Sequence, residues 1–242
     1  MKKTLIIIPT YNEIENISSI IKAIFDVNLN LDILVVDDNS PDGTSNVVKN
    51  LIIKYKKKLF LEERDKKEGL GVAYVHGFNW ALDREYDYIF QMDADLSHNP
   101  TELIKMKERL EVDADLIIGS RYKNGVNVIN WPLSRILLSY IASIYVRFIT
   151  SMPIKDPTSG FVGYKREVLE VINVNKIKFV GYAFQIEMKF KAWKYDYKII
   201  EVPVIFTDRT LGSSKMSGGI FFEAFFGVIQ MKIKSFFKNW SR

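Results

Sequence analysis

The chain has 242 residues, 48% hydrophobic and 26% charged, with a net charge of +5. That composition is globular, and the length suits one sizeable domain with an appendage. The absence of cysteine excludes a disulfide framework and a thiolate metal site, and two histidines, His76 and His98, leave a zinc site short of ligands. From the N-terminus, Lys2 and Lys3 precede an apolar run that Pro9 closes. It is too short for the core of a signal peptide and predicts a buried strand over residues 4–8. An amphipathic helix is predicted over 14–25 and a strand over 32–36. A helix then runs from Asp42-Gly43-Thr44 to about Lys54, with an Asp or Thr N-cap. A short strand at 59–61 and a glycine-bearing loop follow. Gly69-Leu70-Gly71 reads as the turn into a helix near 72–82. Next come a strand at 88–92, a helix over 100–110 behind Asn99, and a strand at 114–118. Strands alternating with helices of this length imply right-handed βαβ units and a mostly parallel sheet.

The second half is less regular. One long helix is predicted over 132–150, a strand over 159–164 and a helix over 183–193. Residues 198–206 alternate like a strand that Pro203 breaks, which suggests an edge position. A polar loop at 207–219 leads into a final helix. No internal repeat or low-complexity linker is visible. The boundaries expected are a catalytic domain over 1–217, with halves at about 1–122 and 123–217, and an amphipathic helix over 218–242. No stretch reads as long and apolar enough to span a bilayer comfortably. The two nearest are 133–150, interrupted by Arg135 and Arg147, and 220–237, interrupted by Glu223, Lys232 and Lys234.

The strands of the first half exit into polar segments. These are Pro9-Thr10-Tyr11-Asn12-Glu13, Asp37-Asp38-Asn39-Ser40, Asp93-Ala94-Asp95 and Gly119-Ser120-Arg121-Tyr122. In a parallel sheet all four lie on the carboxyl edge, where open α/β folds bind ligands. Two carboxylates one residue apart suit a hard cation, which takes oxygen ligands and often shares them with substrate phosphates. Taken alone, Asp93 and Asp95 read equally as solvated carboxylates capping the next helix. No Gly-x-Gly-x-x-Gly follows the first strand, and no Gly-x-x-x-x-Gly-Lys-Ser/Thr is present, so a dinucleotide fingerprint and a P-loop are both excluded. Lys54, Lys56, Lys57 and Lys58 read as a solvated helix end. Lys232, Lys234, Lys238 and Arg242 interleave with Phe236, Phe237 and Trp240. That pattern suits a helix in a membrane interface, or aromatics docking on the domain. The cations form no single aromatic-lined stripe, which argues against a nucleic-acid binder.

The segments Ile8-Pro9-Thr10-Tyr11-Asn12-Glu13, Val35-Val36-Asp37-Asp38-Asn39-Ser40-Pro41-Asp42-Gly43-Thr44 and Met92-Asp93-Ala94-Asp95-Leu96-Ser97-His98 resemble family 2 glycosyltransferases of the GT-A fold. Later segments narrow the resemblance to polyprenol monophosphate mannose synthases, the dolichol-phosphate mannosyltransferases. They are Trp131-Pro132-Leu133-Ser134-Arg135, Asp156-Pro157-Thr158-Ser159-Gly160-Phe161, Gly181-Tyr182-Ala183-Phe184-Gln185-Ile186-Glu187-Met188 and Asp208-Arg209-Thr210-Leu211-Gly212-Ser213-Ser214-Lys215, together with the segment ending in Tyr122. The resemblance covers essentially the whole chain.

It implies an α/β fold with a mostly parallel central sheet flanked by helices and a C-terminal amphipathic appendage. It implies transfer of mannose, with inversion, from GDP-mannose to a polyprenyl monophosphate, aided by Mg²⁺ or Mn²⁺. The alternatives are a glucose or aminosugar transferase using a UDP-sugar, and a membrane-associated nucleotide-sugar binding protein without turnover. Pro9, Tyr11, Glu13, Val36 and Asp38 are expected at the nucleoside, and Asp93, Ala94 and Asp95 at metal and diphosphate. Ser97 stands where some members carry a metal-ligating Gln. Arg121, Arg209 and Lys215 are expected at phosphates, with Arg121, Arg135 and Lys215 serving the acceptor. Arg209 and Lys215 lie on a Gly- and Ser-rich loop suited to closing over substrates. Asp156 and Glu187 read either as orienting an acceptor-site Arg or ligating a second metal, or as structural ion-pair partners. His76 and His98 receive no catalytic role. The expected partners are the two substrates and the cytoplasmic face of a membrane, with no nucleic acid.

Overall fold

The structure is a computed structural model that describes residues 2–208 and 218–241. Seven strands form one sheet in the order β3-β2-β1-β4-β7-β5-β8. They are β1 (Thr4–Thr10), β2 (Asp32–Asp37), β3 (Leu59–Glu63), β4 (Tyr88–Gln91), β5 (Leu116–Ser120), β7 (Val162–Lys165) and β8 (Ile199–Pro203). Every pairing is parallel except those of β7, which runs antiparallel to β4 and β5. The carboxyl ends of β1, β2, β4 and β5 therefore share one edge, as expected.

Alternation along the strands fills a core on each face of the sheet. Leu5, Ile7, Leu34 and Val36 face α3 (Leu70–Asp83), α6 (Arg166–Ile172) and α7 (Tyr182–Lys194). Their neighbours Ile6, Ile8, Ile33 and Val35 face α1 (Ile17–Asp26), α2 (Thr44–Lys54) and α4 (Glu102–Val112). Gly163 lets β7 enter this packing. A Cβ built there would sit 2.5 Å from Phe90 Cε1 and 2.8 Å from Ile117 Cγ2.

Several boundaries differ from those read in the sequence, each for a local reason. Helix α1 starts at Ile17, because residues 12–16 form a turn in which Glu13 O accepts the Asn16 and Ile17 amides. The strand expected over 159–164 begins only at Val162. Ser159 instead makes a turn, its hydroxyl donating to Gly119 O at 2.6 Å and accepting from the Phe161 amide at 3.2 Å. Helix α6 was not anticipated. Strand β8 lies at the sheet edge, as Pro203 suggested. The chain then leaves the sheet, and β9 (Phe206–Thr207) pairs with β6 (Val128–Ile129).

Two helices stand apart from the sheet. Helix α5 (Leu133–Thr150) buries Ser143, Val146 and Thr150 and exposes Leu137, Leu138, Ile141 and Phe148. Among the described residues it is the one helix long and apolar enough, by length and composition, to cross a membrane. That corrects the reading that no segment qualifies: its two arginines interrupt the run without lowering its mean hydropathy below that of a span. Helix α8 (Gly218–Ser235) packs against α5 and α7. It ends before the aromatic tail rather than running to 242. The Trp240 indole donates to Ser235 O at 2.9 Å and meets the Tyr195 ring edge-on at 5.0 Å, whereas Phe236 and Phe237 stand 72% and 88% exposed.

Candidate active site

The first two strand ends form a braced polar wall. Pro9 and Val36 are register partners on β1 and β2. The Val36 side chain is buried in the core, so beyond it the edge presents Asp37 and Asp38. Asp37 accepts the Thr10 hydroxyl at 2.7 Å, and the Ser40 hydroxyl and amide at 2.6 and 2.9 Å. Asp38 pairs with Arg64 at 2.7 Å, both side chains nearly buried. Burial raises Asp38 above the ordinary carboxylate value, against the opposing pull of Arg64. Arg64 escaped the sequence reading, although it follows β3 directly on this edge. Lys67 lies 4.2 Å above the Tyr11 ring, and Glu13 accepts the Asn16 side-chain amide at 3.0 Å.

The turn after β4 carries Asp93, Ala94 and Asp95. Ala94 is buried, whereas the Asp93 side chain is 38% exposed. The Asp93 amide donates to Nδ1 of His98 at 3.1 Å, so the neutral ring carries its proton on Nε2. His98 is buried between Phe161, stacked at 4.8 Å, and the edge of Phe206 at 5.1 Å. Burial pushes its pKa down to about 4, so the ring is neutral at physiological pH. Its Nε2 stands 3.8 Å from Asp93 Oδ2 and has no hydrogen-bond partner. Asp95 Oδ1 accepts the Ser97 hydroxyl at 2.6 Å and the Ser97 amide at 3.1 Å. The Ser97 hydroxyl thus orients the Asp95 carboxylate.

Arg121, at the end of β5, is 8% exposed and clamped to Asp156, with Nε to Oδ2 at 2.8 Å and Nη2 to Oδ1 at 2.6 Å. Its amide also donates to Asp156 Oδ2, and Nη2 reaches Thr158 Oγ1 at 2.8 Å. Tyr122, Trp131 and Phe206 surround the guanidinium at 5.3, 5.6 and 5.7 Å. Burial opposes charge on Asp156, but Arg121 outweighs it and holds the carboxyl below its ordinary value. Of the roles left open for Asp156, the structure shows an ion pair with Arg121, which fits both the orienting of an arginine and a structural ion pair. Glu187 instead braces the backbone, accepting the Lys178 and Phe179 amides at 2.9 and 3.2 Å and pairing with Lys191 at 2.8 Å. Arg135 reaches Asp208 at 2.5 Å and stacks on Trp131 at 4.0 Å, next to the Arg121 cluster. Arg209 and Lys215 lie outside the described residues.

The loop after Asp156 brings the two halves of the edge together. A Cβ on Gly160 would lie 3.6 Å from Asp93 Oδ2 and 3.8 Å from His98 Cε1, so this glycine leaves room beside Asp93. Among the described residues no group of three or more His, Cys, Asp or Glu side chains is placed to hold a metal ion. Two carboxylates with an all-oxygen donor set, one of them exposed, nevertheless fit a hard cation that takes its remaining ligands from a diphosphate.

The sequence profile described as glycosyl transferase family 2 matches residues 5–172. Over 96% of its length the chain is 43% identical to the polyprenol monophosphomannose synthase of Mycolicibacterium smegmatis, covering 88% of that protein. It is 41% identical to the undecaprenyl-phosphate mannosyltransferase of Micrococcus luteus, over 93% of this chain and 92% of that one. In fold it is similar to glucosyl-3-phosphoglycerate synthase of Mycobacterium tuberculosis, solved with Mn²⁺, UDP-glucose and phosphoglyceric acid. The TM-score is 0.66 at 16% identity, over 97% of this chain and 79% of that one.

Proposed function

Since the chain belongs to glycosyl transferase family 2, and is a glycosyltransferase, we propose that it moves mannose from GDP-mannose to a polyprenyl monophosphate, giving a β-linked mannosyl lipid. One observation carries the choice of acceptor. The cations Arg121 and Arg135 stand at the head of α5, and from the first turn after Arg135 that helix presents Leu137, Leu138, Ile141 and Phe148 to the outside. An anionic headgroup with a long apolar tail matches that order of surfaces. The names of the two similar mannosyltransferases agree with it.

In this reading the nucleoside lies against Pro9, Tyr11, Glu13, Val36 and Asp38, and Asp93, Ala94 and Asp95 face the diphosphate. Asp93 and Asp95 would hold Mg²⁺ or Mn²⁺, which stabilises the leaving diphosphate as a Lewis acid. The fold neighbour was itself solved with Mn²⁺ and UDP-glucose, which agrees with a divalent cation beside the diphosphate. Arg121, held in one orientation by Asp156, sets a fixed positive charge where anionic substrates meet, and Arg135 extends it towards the acceptor. Arg209 and Lys215 would complete the phosphate contacts. Attack from the face opposite the leaving group inverts the anomeric centre. A phosphate monoester has its second pKa near ~6, so the nucleophile is largely dianionic at neutral pH and needs no strong base. The burial and neutrality of His98 suit that scheme. Exposed α5 and the tail residues Phe236 and Phe237 would rest on the cytoplasmic face of a membrane, beside the lipid substrate. Residues 1–217 would form the catalytic domain and 218–242 its membrane-facing appendage.

The test is a transfer assay with purified protein and a short polyprenyl phosphate. GDP-mannose and UDP-glucose are offered separately, with Mg²⁺ or Mn²⁺ and then with EDTA. Mannolipid from GDP-mannose alone, lost in EDTA, is expected. Product from UDP-glucose alone would overturn the donor and keep the acceptor. No lipid product from either would overturn the reading.

A further inference from the structure

Beneath the turn that joins the two halves of the site lies a lysine with no accessible surface. Lys189, on α7, is 0% exposed. Its Nζ donates to Ser159 O at 2.7 Å and to Gln185 O at 3.2 Å. Ser159 is the residue before Gly160, which borders Asp93, and its hydroxyl ties the same turn to β5 through Gly119 O. On the other side, Glu201 of β8 accepts the Lys155 amide at 2.8 Å and the Asp156 amide at 2.9 Å. Residues 155–160 are thus held from below by one ammonium and one carboxylate, and from above by Arg121.

The charges that face Lys189 come from three other elements. They are Arg121 at the end of β5, Asp156 on the loop and Glu201 on β8. Two anions and one cation would leave the floor negative, under a site built for phosphorylated substrates. A protonated Lys189 makes the group neutral. An ammonium is costly to bury, and a leucine or methionine would fill the same space without that penalty.

We propose that Lys189 is a positioning residue for the transfer reaction: its ammonium pins the Ser159 turn and neutralises the Asp156–Glu201–Arg121 floor, so that anionic substrates meet no net negative charge. The proposal rests on the reading of this edge as a nucleotide-sugar and lipid-phosphate site. It has a measurable consequence. Burial lowers the Lys189 pKa to about 7, against the pull of Asp156 and Glu201. A bound diphosphate favours the ammonium, so binding above that pH takes up a proton.

The experiment is calorimetric titration of the whole chain with GDP and Mn²⁺ at pH 6 and pH 8, in buffers of contrasting ionisation enthalpy. Wild type, Lys189→Met and Lys189→Arg are compared, and the ionisations of nucleotide and buffer are common to all three. Wild type is expected to take up protons on binding at pH 8 and to bind more weakly there than at pH 6. Because the free lysine titrates near 7, the loss at pH 8 reaches at most about tenfold, however far the nucleotide lifts the ammonium. Lys189→Met should bind weakly at both values without the extra uptake. Lys189→Arg, always charged, should keep its affinity at pH 8 and show none. Proton uptake and pH dependence equal to wild type in folded Lys189→Met would overturn the proposal. Should that variant fail to fold, the same result in Lys189→Arg would overturn it. Wild type that binds neither GDP nor UDP would overturn the function reading, and this proposal with it. Normal binding with pH behaviour common to all three proteins would overturn the role of Lys189 alone.

Discussion

Replacing Asp156 by asparagine tests whether the arginine clamp is as costly to break as its burial implies. Asp156 is 0% exposed and Arg121 only 8%, and Asp156 accepts two side-chain bonds and one amide from Arg121. Asparagine keeps the shape and one acceptor oxygen but turns an NH₂ towards a guanidinium. Removing one partner of a buried pair costs about 3–5 kcal/mol, because the other charge is left uncompensated. The retained oxygen places Asp156→Asn at the lower end, about 3 kcal/mol, which for a chain of this size lowers Tm by roughly 6–12 °C. Thermal unfolding by circular dichroism at neutral pH reads this directly. The pH dependence carries a second sign. The Asp156 carboxyl lies below its ordinary 3.8, so the unfolded state takes up the proton first. The contribution of the pair is complete above that value and is lost as pH falls through the depressed one. The contribution of the Asp156 carboxylate itself should therefore persist at neutral pH and be lost only in acid below its ordinary value. Arg121→Met and the double variant complete the cycle, and the double should lose less than the sum of the singles. A Tm loss under about 2 °C, or additivity within roughly 0.5 kcal/mol, would refute the reasoning.

Three further outcomes follow from other parts of the molecule. His98 has its pKa lowered from 6.5 to about 4 by burial, so the unfolded state protonates first and stability falls as pH drops between those values. At 1.36 kcal/mol per unit the loss is about 3 kcal/mol. Urea midpoints of wild type should show that acid slope and those of His98→Asn should not; equal slopes would remove His98 as its source. Gly163→Ala forces a methyl to within 2.5 Å of Phe90 and 2.8 Å of Ile117 in the centre of the sheet. Overpacking of about 1–3 kcal/mol is expected as a lower urea midpoint, and an unchanged midpoint would show that β7 shifts freely. Phe236→Ser with Phe237→Ser removes two side chains that are 72% and 88% exposed. Flotation with anionic vesicles should drop several-fold while GDP binding stays intact; undiminished flotation would leave α5 as the membrane contact.

The polar carboxyl edge of the sheet is legible because its signals are local. Each of Asp37, Asp93 and Arg121 stands within a few residues of a short apolar run, and a strand followed by such residues announces both its direction and its exit. What stayed hidden depends on which distant residues meet. Nothing near β7 marks it as antiparallel. Its apolar alternation reads the same in either sense, and only the return of the chain after α5 sets its direction. The second metal-ligand role left open for Asp156 and Glu187 reflects the same limit, since a carboxylate in sequence shows its charge but not its partner. One turned out to face Arg121 and the other a pair of backbone amides.

Lys189 is the extreme case. In Phe184-Gln185-Ile186-Glu187-Met188-Lys189-Phe190-Lys191 it alternates with apolar residues as a solvated helical lysine does, and Lys191, two positions on, pairs with Glu187 at 2.8 Å. Helical geometry puts Lys189 one turn below Gln185 and on the same face, and that face is turned to the Ser159 loop, as the bond to Ser159 O shows. A charged residue on the inward face of a helix is a cost that packing alone does not explain. Four charges drawn from β5, the loop, α7 and β8 offset one another there. Substitution of any one of them by a neutral side chain leaves the other three unbalanced beneath the proposed phosphate site. Losses at these four positions should therefore be strongly non-additive, and a stability cycle between Lys189→Met and Glu201→Gln is the direct measure: coupling below about 0.5 kcal/mol would mean that the four do not act as one unit.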